Sequence, residues 1–127
     1  NGNMVRDFTY IDDVIESLIR GFNKNATSNP DFDQLKPDAA TSWAPYRIFN
    51  VGNSSPMSLN SYIEALENTL GFKAIKEFLP MQPGDVKDTF ADIDKSFEML
   101  NYEPITNIDI GINLFTNWYK EYNKDTI

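Results

Sequence analysis

Val5-Arg6-Asp7-Phe8-Thr9-Tyr10-Ile11-Asp12-Asp13-Val14 is the stretch that decides how this chain is read. Residues 5 to 10 predict a short extended segment. A helix follows directly. Ile11, Val14, Ile15, Leu18, Ile19 and Phe22 recur at helical spacing and gather on one apolar face. Asp12 is the expected N-cap, and Asp13 and Glu16 suit the positive end of a helix dipole.

Downstream, residues 23–45 are polar, contain Pro30, Pro37 and Pro45, and lack either hydrophobic period, so they predict a long loop insertion. Tyr46-Arg47-Ile48-Phe49-Asn50-Val51 predicts a buried strand, broken by Gly52-Asn53-Ser54-Ser55-Pro56. Ser58 is placed to cap a second helix carrying Leu59, Ile63, Leu66 and Leu70, with Gly71 at its stop. Residues 73–79 predict another strand, Pro80 and Pro83-Gly84 a loop, and Thr89-Phe90-Ala91 a short extended piece. Asp92 is the expected cap of a short helix with Phe97 and Leu100 inside. A last helix spans 108–122, with Ile108, Ile112, Phe115, Tyr119 and Tyr122 on one face, widened by Leu114 and Trp118. Strands this few and short do not build a sheet core alone, which suggests a lobe that rests on a larger domain.

Composition removes several function classes. The chain has 127 residues, 41% apolar and 24% charged, as in ordinary globular domains. Its net charge of −8, with no block of Lys and Arg, disfavours nucleic acid and anionic lipid. No apolar run is long enough to span a bilayer. With no Cys and no His, thiolate or imidazole catalysis and the usual zinc sites are excluded, and no metal is expected. The absence of Cys fits a cytoplasmic setting. The start, Asn1-Gly2-Asn3-Met4, is not a signal peptide and reads as the middle of a longer chain.

The glycines stand at 2, 21, 52, 71, 84 and 111, and no two are two or three residues apart. A dinucleotide-binding turn needs such spacing to bring backbone against a pyrophosphate. None of the tyrosines, at 10, 46, 62, 102, 119 and 122, has Lys four residues later. No catalytic and no cofactor-binding residue is therefore expected on this chain.

Four segments in register carry a resemblance. Residues 5–14 resemble the R-D-F/Y-x-[YH]-[IV]-x-D segment of extended short-chain dehydrogenase/reductases, the nucleotide-sugar epimerases and dehydratases. Tyr46-Arg47-Ile48-Phe49-Asn50-Val51-Gly52 resembles their Y-x-x-x-N-[IVL]-G strand. Gln82-Pro83-Gly84-Asp85 resembles their R-x-G-D segment, and Asp92 with Trp118-Tyr119 matches their C-terminal end. The insertion ending at Ala44-Pro45 and the run Met81-Gln82-Pro83-Gly84-Asp85-Val86 resemble UDP-glucuronate 4-epimerases in particular. UDP-glucose 4-epimerases, UDP-glucuronate decarboxylases and dehydratases are the related alternatives; a non-catalytic binding or interaction fragment is a third.

The resemblance implies an α/β fold: the C-terminal substrate-binding lobe of an extended Rossmann-type enzyme, truncated, with short mixed strands, amphipathic helices and no N-terminal NAD-binding domain. It implies that Arg6 pairs with the diphosphate of a UDP-sugar and Asp85 with the ribose hydroxyls. Gln82 stands where many relatives have a second arginine, and offers hydrogen bonds without charge. Asn50 and Val51 would approach the nucleotide, and Arg47 the substrate carboxylate. Without a ligand, Arg6 would pair with Asp7 or Asp12, and Asp85 would be a turn residue. In such enzymes NAD, bound by the other domain, takes hydride from C4 of the sugar and returns it to the opposite face of a 4-keto intermediate. The expected partners are a UDP-sugar, the missing Rossmann domain and a second copy, since apolar faces around Phe8, Phe49 and Phe90 would lie exposed in a truncated chain.

Overall fold

A computed structural model describes residues 2–124. Four helices dominate: α1 (Ile11–Phe22), α2 (Leu59–Leu70), α3 (Asp94–Leu100) and α4 (Ile108–Tyr122). The only strands among the described residues are β1 (Val5–Arg6) and β2 (Met57–Ser58), paired antiparallel with Val5 opposite Ser58 and Arg6 opposite Met57. On its other side Val5 meets Asp88 in a parallel bridge, through Val5 N–H to Lys87 O at 3.0 Å and Thr89 N–H to Val5 O at 3.2 Å. Three stretches far apart in sequence thus lie side by side around residues 5 and 6.

The helix boundaries follow local chemistry. Ser58 caps α2 by accepting from Ser61 N–H, and Gly71 ends it in the left-handed conformation at φ 80°, where a side chain would be strained. Asn107 caps α4 by accepting from Ile110 N–H. Two expected caps are corrected. The N-cap of α1 is Tyr10, without a side-chain bond, because Asp12 already lies in the first turn. The N-cap of α3 is Ile93, although Asp92 still accepts from Asp94 N–H at 3.1 Å. α2 packs on α4 and α1 on α3. Phe8 stacks on Tyr62 of α2 with ring centroids 4.1 Å apart, so it is not the open apolar surface expected of it.

Neither 46–51 nor 73–79 is a strand. A strand exists only with a hydrogen-bonded neighbour, and the first of these segments has a single bridge, Thr41 to Arg47, while the second has no ladder. Ile48 is 47% exposed and Ile75 fully exposed. The core is correspondingly small. Leu100, Tyr102 and Ile112 are the buried apolar side chains among the described residues. Leu100 faces inward as expected, but Phe97 is half exposed.

α1 reverses expectation. Ile11, Ile15, Leu18, Ile19 and Phe22 are exposed, while Asp13 and Ser17 are buried. Asp13 accepts from the N–H groups of Ile105 and Thr106, so the helix is fixed through its polar edge.

Segment 72–76 is tied to α2 by Glu67, whose side chain is buried. Glu67 accepts from Lys73 Nζ at 2.8 Å, Lys76 Nζ at 2.8 Å and Ala74 N–H at 3.0 Å. The bond from Lys73, then that from Lys76, holds its carboxyl at about 2, below the usual 4.5. A folded-state value below the unfolded one stabilises above about 4.5 and loses that contribution as pH falls toward about 2. Between about pH 6 and about pH 2.5 the urea midpoint is expected to fall, and Glu67→Gln to flatten part of that fall.

Candidate functional site

The site is assembled by a turn. Gln82 O accepts from Asp85 N–H at 3.1 Å, and Gly84 has φ 86°. With Pro83 at the second position this is the signature of a type II turn, in which the third residue needs positive φ and glycine supplies it without strain. The turn delivers the Asp85 carboxylate to Arg6, 79 residues away in sequence, with Arg6 Nη2 to Asp85 Oδ1 at 3.1 Å.

Arg6 makes three further bonds. Nη1 donates to Val5 O at 2.8 Å and to Lys87 O at 2.9 Å, and Nη2 donates to Val86 O at 2.8 Å. The guanidinium has four terminal N–H groups, so each can serve one of these acceptors. Both side chains are partly exposed, 26% for Arg6 and 39% for Asp85. The partner of Arg6 is therefore Asp85, not Asp7 or Asp12. Gln82 is exposed and opens the turn, with its carbonyl engaged.

Asn50 and Val51 lie elsewhere. With Asp7, Phe49, Gly52, Thr89, Phe90 and Ala91 they line an open, largely polar groove of about 420 Å³ that Arg6, Gln82 and Asp85 do not line. The Asn50 side-chain amide donates to Asp92 O at 3.0 Å, and the Asn50 backbone carbonyl accepts from Ser96 Oγ at 2.5 Å. Those bonds fix the groove wall to the start of α3. Arg47 sits in the isolated bridge to Thr41, at the far end of the insertion.

Asp7, which the sequence offered only as a partner for Arg6, organises this groove. Its carboxylate accepts from Ser54 N–H at 3.0 Å, Ser55 N–H at 3.2 Å and Ala91 N–H at 3.2 Å, joining both walls. Gly52 is buried against it, and a Cβ there would lie 2.7 Å from Asp7 Oδ2 and overlap Ala91. Tyr102, fully buried, donates to Gly52 O at 3.0 Å, and burial raises its phenol above the usual value. The available signal was an acid next to Phe8 in an extended segment, a costly position to cover unless backbone N–H groups satisfy it.

Gly21 lies inside α1, Gly71 ends α2, Gly84 serves the turn and Gly52 is filled by its neighbours. Among the described residues no helix is long and apolar enough to cross a membrane.

An α/β lobe of short strands and four helices, with an arginine and a carboxylate joined at a proline-glycine turn, has the fold of the C-terminal part of epimerases of the short-chain dehydrogenase/reductase type. Homologues of this chain are UDP-glucuronate 4-epimerases. The UDP-glucuronate 4-epimerase of Thermodesulfobacterium geofontis is 38% identical over 122 residues, covering 95% of this chain and 32% of that protein. Protein CapI of Staphylococcus aureus is 44% identical over 124 residues, covering 98% of this chain and 37% of its own length. The crystal structure of UDP-glucuronic acid 4-epimerase from Bacillus cereus, in complex with UDP-glucuronic acid and NAD, superposes with a TM-score of 0.74 at 29% identity, over 96% of this chain and 34% of that one. The chain thus spans about a third of the length of the relatives it matches. No protein-family model matches it.

Proposed function

We propose that residues 1–127, with 23–45 as a loop insertion, form the UDP-sugar-holding lobe of an NAD-dependent 4-epimerase that interconverts UDP-glucuronate and UDP-galacturonate. The observation that carries this reading is the meeting of Arg6 and Asp85 at 3.1 Å on an accessible edge. One offers a rigid cationic fork suited to a diphosphate, the other a carboxylate suited to ribose hydroxyls. Gln82 at the head of the same turn adds a neutral donor. Asn50 and Val51, in the neighbouring groove, shape the approach to the nucleotide.

Hydride transfer falls to a nicotinamide cofactor and a tyrosine on a separate NAD-binding domain. This lobe's share is to hold the UDP handle so that remote binding energy positions the sugar. The whole enzyme is assigned to the cytoplasm and to a homodimer. The related alternatives are a UDP-glucose 4-epimerase, a decarboxylase or a dehydratase. Assay of a protein carrying both domains on UDP-glucuronate and UDP-glucose separates them: conversion of UDP-glucuronate to UDP-galacturonate is expected, and loss of carbon dioxide or preference for UDP-glucose defeats the proposal. The 127-residue chain alone is expected to be inactive and to bind UDP weakly.

One observation favours a second reading, in which Arg6 is a structural pin and the lobe binds nothing by itself. All four terminal N–H groups have acceptors within the chain.

A further inference from the structure

We propose that Asp85 determines specificity by partner exchange: it holds Arg6 when no nucleotide is present and passes to ribose hydroxyls when a nucleoside diphosphate arrives, so that phosphate and sugar are recognised together. This rests on the assignment of Arg6 and Asp85 to a nucleotide.

The four acceptors around Arg6 are not equivalent. The carbonyls of Val5, Val86 and Lys87 belong to backbone, and two of those residues are fixed in the pairing of Val5 with 87–89. The Asp85 carboxylate is a side chain, its bond is the longest of the four at 3.1 Å, and it is 39% exposed. It stands beside a glycine with φ 86° in a run, 81–90, that is exposed throughout. It can swing away without disturbing the core.

Arg6 Nε has no acceptor among the described residues. Departure of Asp85 frees one N–H of Nη2, the other still donating to Val86 O at 2.8 Å, and Nη2 with Nε forms a side of the guanidinium that can bind a phosphate bidentately.

The exchange has a cost that depends on the ligand. A displaced Asp85 beside a phosphate is a second negative charge, which disfavours inorganic pyrophosphate. Ribose hydroxyls donate to that carboxylate and offset the repulsion, so a nucleoside diphosphate is penalised less. Gln82, being neutral, offers the displaced carboxylate no cation. The overall charge of −8 leaves little non-specific attraction to mask the difference.

The test follows the side-chain NMR signals of Arg6 in the 127-residue chain, titrated to millimolar concentrations with inorganic pyrophosphate and, separately, with UDP. In Asp85→Asn, pyrophosphate is expected to bind about threefold tighter, the scale of a partly exposed ion pair, while UDP binds more weakly. The preference for UDP over pyrophosphate should therefore collapse. Asp85→Ala is expected to move both affinities in the same directions, and amide spectra verify that both variants remain folded. Unchanged or weakened pyrophosphate binding in the two variants overturns the exchange. If UDP shifts the Arg6 signals but Asp85 variants leave pyrophosphate binding unaltered, the exchange alone fails. If UDP perturbs other residues and never Arg6, the nucleotide assignment fails and takes the exchange with it.

Discussion

Arg6→Ala, in a protein that carries both this lobe and its NAD-binding domain, is expected to weaken UDP-sugar binding about 100-fold. Removing one member of a desolvated, hydrogen-bonded charge pair costs about 2–5 kcal/mol, and a hundredfold corresponds to about 2.7 kcal/mol. The lower part of that range applies because Arg6 is partly exposed even before a ligand covers it. Calorimetric titration of the UDP-sugar measures the change. Arg6→Lys should recover part of the affinity, since the ammonium keeps the charge but not the planar fork. The same substitution separates the two readings of Arg6. As a pin it joins β1 to residues 85–87, so its loss would lower the melting temperature while the folded fraction bound nucleotide as before. As a ligand it must change affinity at temperatures where the variant is fully folded. Unaltered affinity there removes the central support for a UDP-sugar site.

The second large effect concerns stability. Gly52→Ala is expected to cost about 2–3 kcal/mol and lower the melting temperature by about 10 °C. The added methyl overlaps Ala91 and lies 2.7 Å from Asp7 Oδ2. It cannot be relieved by a rotamer, because Asp7 is held by three N–H groups and Tyr102 bonds the Gly52 carbonyl. Gly21→Ala provides the opposite sign. Gly21 lies in α1 with nothing within 4 Å of the added carbon, so alanine should stabilise by about 0.5–1 kcal/mol through helix propensity. Thermal melts of the two variants beside the parent chain check both. An equal response at positions 21 and 52 would contradict the close approach described here.

The helices were legible because their determinants are local. The apolar period of α1, Ser58 and Gly71 around α2, and the aromatic run of α4 each lie within a few residues of the feature they specify. What was not legible depends on neighbours. The β-branched and aromatic residues of 46–51 and 73–79 suit a strand, but a ladder also needs a partner, and the described chain supplies one bridge at most. The period of α1 showed where apolar side chains gather, not what covers them. In the site, motif order singled out Arg6 and Asp85, but their contact joins residues 79 apart and follows from the pairing of Val5 with 87–89. The anchoring roles of Asp7 and Asp13 were not legible for the same reason, since the N–H groups they satisfy belong to distant loops.

With α1 anchored by Asp13, the orientation of its oily side is set by hydrogen bonds that need no other domain to form. Ile15, Leu18, Ile19 and Phe22 are already facing outward beside Phe49 and Val51, above a depression of about 720 Å³. A chain folded in this way presents that apolar face ready-made, and so large an exposed patch sets solubility against self-adhesion.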